Sequence, residues 1–214
     1  MGTSVWGYAI MVINWVYLVV GLLFGLIPPM RLLNCECRYL IFEELWTRVS
    51  RKPEGAQRRR RWWKLPLVWI DPVRGYVVGV FLSQAFKAVP KSTFVQSQIP
   101  VVALLGCVMW VMAVQTAGRE RERESLSPAG FMAGIMLAML PSTIAVGAII
   151  IGGATAVALQ SYTYGYLAAG LATAGLGTVF MMGNTKLGVY VLMTSAPAWM
   201  NWLRGTNLVT PVRC

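Results

Sequence analysis

The stretch Arg51-Lys-Pro-Glu-Gly-Ala-Gln-Arg-Arg-Arg-Arg-Trp-Trp-Lys64 narrows what this chain can fold into, because it sets seven basic side chains against one acid between long apolar runs. Such a cluster resists crossing a bilayer and marks the cytoplasmic side of a membrane protein. The rest of the sequence favours the same solvent. Only 13% of the 214 residues are charged, against about 25% in soluble domains. The net charge of +11 belongs to basic residues that flank apolar runs, so anionic lipid headgroups rather than nucleic acid are the expected partner. Each juxtamembrane Lys or Arg contributes about 1 kcal/mol to such contact. Arg58, Arg59, Arg60, Arg61 and Lys64 are the expected headgroup contacts. Trp62, Trp63, Trp69, Trp199 and Trp202 are the expected interface anchors, since indole rings favour the headgroup level.

The apolar runs predict an all-α fold, a polytopic integral membrane helix bundle forming a single domain. Five spans are expected, at about 5–27, 99–117, 130–159, 162–183 and 187–203; all but the third are near the roughly 20 residues that a bilayer core requires, and the third is longer. Pro28-Pro29 closes the first. Pro141, followed by Ser142 and Thr143, predicts a kink or break in the long third run. Residues 28–98 form a basic, amphipathic region on the cytoplasmic side. Within it, Tyr39, Phe42, Leu45, Trp46 and Val49 share one helical face, while Glu43, Glu44, Thr47 and Arg48 share the other. That pattern suits a helix lying in the membrane interface or packed on a partner. Asp71-Pro72 reads as an N-cap followed by a first helical residue. The helix it opens, 72–89, has an uncharged core from Gly75 to Phe86 that fits an interfacial or re-entrant segment. If it crosses instead, with Arg74 and Lys87 snorkelling, the spans number six. The N-terminus faces outward in both arrangements, and a bacterial inner (plasma) membrane is the expected setting. Arg119 to Glu124 alternates in sign, which favours a self-paired helix extension.

The chain contains no histidine. That removes imidazole ligation of haem, His-based proton relays, and Ser-His or Cys-His catalysis. Cys35, Cys37, Cys107 and Cys214 form no disulfide framework. Cys35-Glu-Cys37 falls short of the four ligands that zinc takes. No nucleotide-binding or hydrolase signature is present, so neither a metal nor a cofactor is expected, and the chain is expected not to be an enzyme. The five spans contain no Asp or Glu, whereas ion and proton pathways usually carry an ionisable group inside the membrane. Asp71, Arg74 and Lys87 are the candidates that remain.

The run 162–183 is the most distinctive helix. Gly165, Ala169, Thr173 and Gly177 recur every four residues, with Gly170, Ala174 and Thr178 in a second row. Small residues at that spacing let helix backbones approach closely, so that packing replaces the hydrophobic effect lipid cannot supply. A non-catalytic structural or assembly subunit of a larger membrane complex is the expected function, packing against other membrane subunits or copies of itself. The alternative is a homo-oligomeric channel for ions or small solutes, lined by Thr143, Thr155, Thr173 and Thr178.

Overall fold

The computed structural model describes residues 11–27, 37–43, 66–88, 94–117, 124–181 and 186–213. Among these residues the apolar runs become seven α-helices: α1 Trp15–Leu26, α2 Pro66–Ala85, α3 Phe94–Gln115, α4 Ala129–Met139, α5 Ser142–Ala158, α6 Tyr162–Phe180 and α7 Leu187–Arg204. Five short strands accompany them: β1 Met11–Ile13, β2 Cys37–Ile41, β3 Phe86–Ala88, β4 Glu124–Leu126 and β5 Asn207–Arg213. The protein is mostly helical, as an all-α reading requires. Gln98–Gln115, within α3, is long and apolar enough to cross a membrane by length and composition.

Glycine sets the helix pairings. Gly21 and Gly25 of α1 admit Leu82, Val78 and Val111, which runs α1 antiparallel to α2. Gly130 of α4 meets Asp71 and Pro72, and Gly79 of α2 meets Ile135 and Ala138, so α2 and α4 run parallel, at backbone contact where Gly75 lies on the Phe131 carbonyl and Gly134 on the Pro72 carbonyl. On α5 and α6, Gly152 meets Ala169 and the Gly165 carbonyl, and Gly165 in turn meets Ala156. Gly170 and Gly177 of α6 face Ser195 and Leu187 of α7. Between these seams Val78, Leu82, Met112, Phe131, Ile135 and Met193 form the core.

Two small sheets close opposite ends of the bundle. β1 pairs antiparallel with β3, Met11 opposite Ala88, where α1 begins and α2 finishes. At the other end the order is β2-β5-β4. There Cys37–Ile41 runs antiparallel to β5, with Ile41 opposite Val209, and β4 lies parallel to β5.

The structure departs from the sequence reading at several elements. The first helix starts at Trp15 rather than near Val5, because Asn14 caps it, its side chain accepting from the Tyr17 N–H, while 11–13 pair as a strand. Residues 1–10 lie outside the described part. The helix expected at 72–89 starts at Pro66 and ends at Ala85, so Asp71-Pro72 lies inside it and does not cap it. Proline is well tolerated in a first helical turn, and the pull of two glycine-lined neighbours, α1 and α4, draws the whole helix into the bundle. There it buries Val78, Leu82 and Ala85. The run 130–159 is two helices, not one kinked span. Leu140 is extended before Pro141, because proline disfavours helical geometry in the residue preceding it. The chain then reverses, and α5 descends antiparallel to α4. Finally, the amphipathic helix expected from Arg38 to Ser50 opens instead as a strand over Cys37–Ile41, since the backbone of β5 offers a ladder, and Phe42 and Glu43 are helical. Phe42 packs edge-on against Tyr162, with centroids 4.7 Å apart. Glu44–Ser50 and Gly118–Arg123 lie outside the described residues.

Candidate functional site

A helix leaves its last carbonyls without intrahelical partners, and they carry partial negative charge. Buried in an apolar bundle, such an end needs donors from elsewhere. Arg74 supplies them to α1. Its side chain is 5% exposed, its Nη1 donates to the Ile27 carbonyl at 2.6 Å, and its Nη2 donates to Gln115 Oε1 at 2.6 Å. Gln115, fully buried at the end of α3, donates through Nε2 to the carbonyls of Gly25 and Ile27. The guanidinium also lies 4.8 Å from the centroid of the Phe131 ring, a cation–π contact that favours a desolvated arginine. Asp71, one turn earlier on the same helix face, places Oδ1 3.0 Å from Nη2. Four helices therefore meet at one charged pair: the ends of α1 and α3, the start of α4, and the second and third turns of α2.

A second clamp repeats the chemistry at the same end of the bundle. Arg204, in the last turn of α7, donates to the carbonyls of Ala113 and Thr116 at 3.1 and 3.2 Å and to Thr116 Oγ1 at 3.1 Å. It thus caps α3 as Arg74 caps α1. Beside it runs a chain of short polar links, Thr163 to Asn201 (3.0 Å), Asn201 to Thr206 (3.0 Å) and Thr206 to Ser125 (2.7 Å), joining α6, α7 and β4. Ser127 and Tyr166 add a bond of 3.0 Å.

Asp71 and Arg74 correct one expectation. The sequence placed them outside the spans as a cap and a snorkelling charge, whereas α2 carries both into the bundle. The packing residues fall on two seams within the chain. Gly165 and Ala169 face α5, Gly170 and Gly177 face α7, Thr173 is buried with its hydroxyl donating to the Ala169 carbonyl, and Ala174 is half-buried. Trp69, Trp199 and Trp202 are exposed at the end where the two arginine clamps lie, and the rings of Trp199 and Trp202 meet edge to face. Arg58, Arg59, Arg60, Arg61, Trp62, Trp63 and Lys64 lie outside the described residues. The four threonines proposed as a pore lining do not converge. Thr143 is exposed, Thr155 and Thr178 donate to carbonyls of their own helices, and Thr173 sits in the α6–α7 seam.

Gln115, Thr116, Arg204 and the close backbone approach of α2 and α4 at Gly75 and Gly134 escaped the sequence reading. The glycines had a legible signal: Gly21 and Gly25, Gly75 and Gly79, and Gly130 and Gly134 all repeat the four-residue spacing noticed only on α6. The chain matches no protein-family model, no curated protein and no solved structure.

Proposed function

We propose that this chain is an integral membrane protein acting as a non-catalytic structural or assembly subunit of a larger membrane complex. The observation that carries it is the use made of the interior polar groups. Arg74, Gln115, Thr116, Thr173, Thr194 and Ser195 are all buried, and each makes a hydrogen bond to a backbone carbonyl. They tie helices together or close local turns. Outside, the pattern inverts: Val16, Leu171 and Leu203 are 70%, 74% and 76% exposed, and Leu23, Val102 and Ile150 each 63%. Apolar exteriors of this extent suit lipid or another apolar partner rather than water.

The alternating helix directions favour seven passes in place of the five counted from sequence. α1 and α4, of 12 and 11 residues, are shorter than the roughly 20 that a bilayer core requires, and on this reading the bilayer thins around them. α2 contributes one pass, and the α4–α5 reversal divides a single apolar run into two. The attachment of the basic stretch, which precedes α2 directly in the sequence, favours the β5 end as the cytoplasmic one. On that reading residues 11–13 face outward.

Gentle extraction from the native membrane, followed by measurement of mass and composition, tests the proposal. Other polypeptides at a fixed ratio to this chain are expected. A closed ring of this chain alone, conducting in a planar bilayer, would replace the subunit reading with the channel.

A further inference from the structure

Lipid meets a membrane protein along the exposed faces of its helices, and polar or indole side chains at the two ends of such a face mark where the hydrocarbon stops. Three helices of this bundle carry those marks. On α2, exposed Val73 and Val80 lie between Trp69 and Gln84, which are exposed as well. On α5, exposed Ile150 and Ile151 lie between exposed Thr143 and the exposed Gln160 that follows the helix. On α7, exposed Leu192 lies between exposed Lys186 and Trp202. The helix directions set Gln84, Thr143 and Lys186 at one end of the bundle and Trp69, Gln160 and Trp202 at the other. At a rise of about 1.5 Å per residue, the three intervals are about 22, 25 and 24 Å long.

An ordinary bilayer has a hydrocarbon core about 30 Å thick, so this apolar girdle falls short by about 5–8 Å. Tilting a helix only shortens its projection on the membrane normal. Lys186 can snorkel outward along its own stem, but Gln84, Thr143 and Gln160 are too short to do so. We infer, on the membrane reading proposed above, that the lipid-facing surface of this protein selects phospholipids whose acyl chains are shorter than oleoyl. Longer chains would either close over Gln84 and Thr143, whose polar groups lose their water there, or deform to meet them. Shorter chains do neither. The three helices belong to different packing seams, α2 with α1 and α4, α5 with α6, and α7 with α6. The short girdle is therefore a property of the perimeter rather than of one groove, which fits a lipid annulus better than a single docked protein.

Tryptophan fluorescence of the full chain, reconstituted in phosphatidylcholine vesicles, tests this. Brominated dioleoyl lipid quenches indoles that touch lipid, and competition by unbrominated lipids of graded chain length reads their relative affinity. The dipalmitoleoyl lipid is expected to compete about twofold better than the dioleoyl, and the dierucoyl lipid worst of the series. An optimum at dioleoyl or longer chains, or a flat profile, would overturn the inference and leave the membrane reading standing. A chain that brominated lipid does not quench at all would overturn both. Gln84→Leu together with Ser142→Leu and Thr143→Leu lengthens the apolar face on two helices, and is expected to move the optimum to dioleoyl lipid. An optimum that stays where it was would show that these residues do not bound the girdle. If the triple variant fails to fold, the profile of the unaltered chain decides alone.

Discussion

Arg74 matters at the scale of single residues because its loss strands several partners at once. Arg74→Met leaves Asp71 unpaired, frees Gln115 Oε1, and leaves the Ile27 carbonyl to Gln115 Nε2 alone. Breaking a buried pair on one side costs about 3–5 kcal/mol, so a large drop in unfolding stability in detergent is expected. Adding Asp71→Leu to Arg74→Met should recover part of it, because Asp71→Leu removes the stranded charge. Arg74→Lys should fall between, since an ammonium lacks the fork that serves two acceptors. If Arg74→Met unfolds with the unaltered chain, the clamp does not hold the bundle. The sequence singles out Asp71 and Arg74, among very few charged residues near apolar runs. It assigns them the wrong duty because Asp-Pro is a strong local signal for a helix start. Gln115 was beyond reach, as its acceptors lie 88 and 90 positions away in the chain.

At the scale of elements, glycine substitutions separate seams from open faces. A Cβ at Gly75 would enter the Phe131 carbonyl, and one at Gly134 would enter the Pro72 carbonyl. Neither obstacle is a flexible side chain. Gly75→Ala and Gly134→Ala are each expected to cost about 1–3 kcal/mol or more by forcing α2 and α4 apart. Gly106→Ala and Gly175→Ala meet nothing within 4 Å, and should be neutral or raise stability by up to about 1 kcal/mol. Unfolding curves of the four variants side by side decide the matter; equal losses would contradict the seams. The glycine spacing that exposes the α6 seams was readable, because helical periodicity is local. The reversal at Pro141 was readable only as a break. Its direction depends on α6, which comes later in the chain and gives α5 a neighbour to descend along. Strand β2 was unreadable for a similar reason: its partner, β5, lies at the opposite end of the sequence.

The whole molecule makes a topological prediction that separates seven passes from five. With the native cysteines replaced, single cysteines at Lys87, Ala117, Gln160 and Lys186 are each offered to an impermeant thiol reagent. Seven passes put Lys87→Cys and Lys186→Cys on the outer side, with Ala117→Cys and Gln160→Cys on the inner. Five passes exchange the sides of Lys87→Cys and Ala117→Cys while leaving the other two unchanged. Labelling that follows the second pattern would return α2 to the membrane surface. Composition and hydropathy delimited the helical architecture. Which helices turn back follows from contacts between distant segments, which local patterning does not carry.

α1 is held at both of its ends by residues synthesised later. At its start the Asn14 N–H donates to the Ala85 carbonyl, and β1 waits for β3. At its finish the Ile27 carbonyl waits 47 positions for Arg74 and 88 for Gln115. At about 5–20 residues per second of translation, the last of these arrives roughly 4–18 s after α1 has left the ribosome. During that interval α1 stands with its lower carbonyls unanswered, and on the membrane reading it stays in the keeping of the insertion machinery. Nascent chains stalled before Arg74 should therefore crosslink through α1 to that machinery, and chains long enough to expose Gln115 should release it.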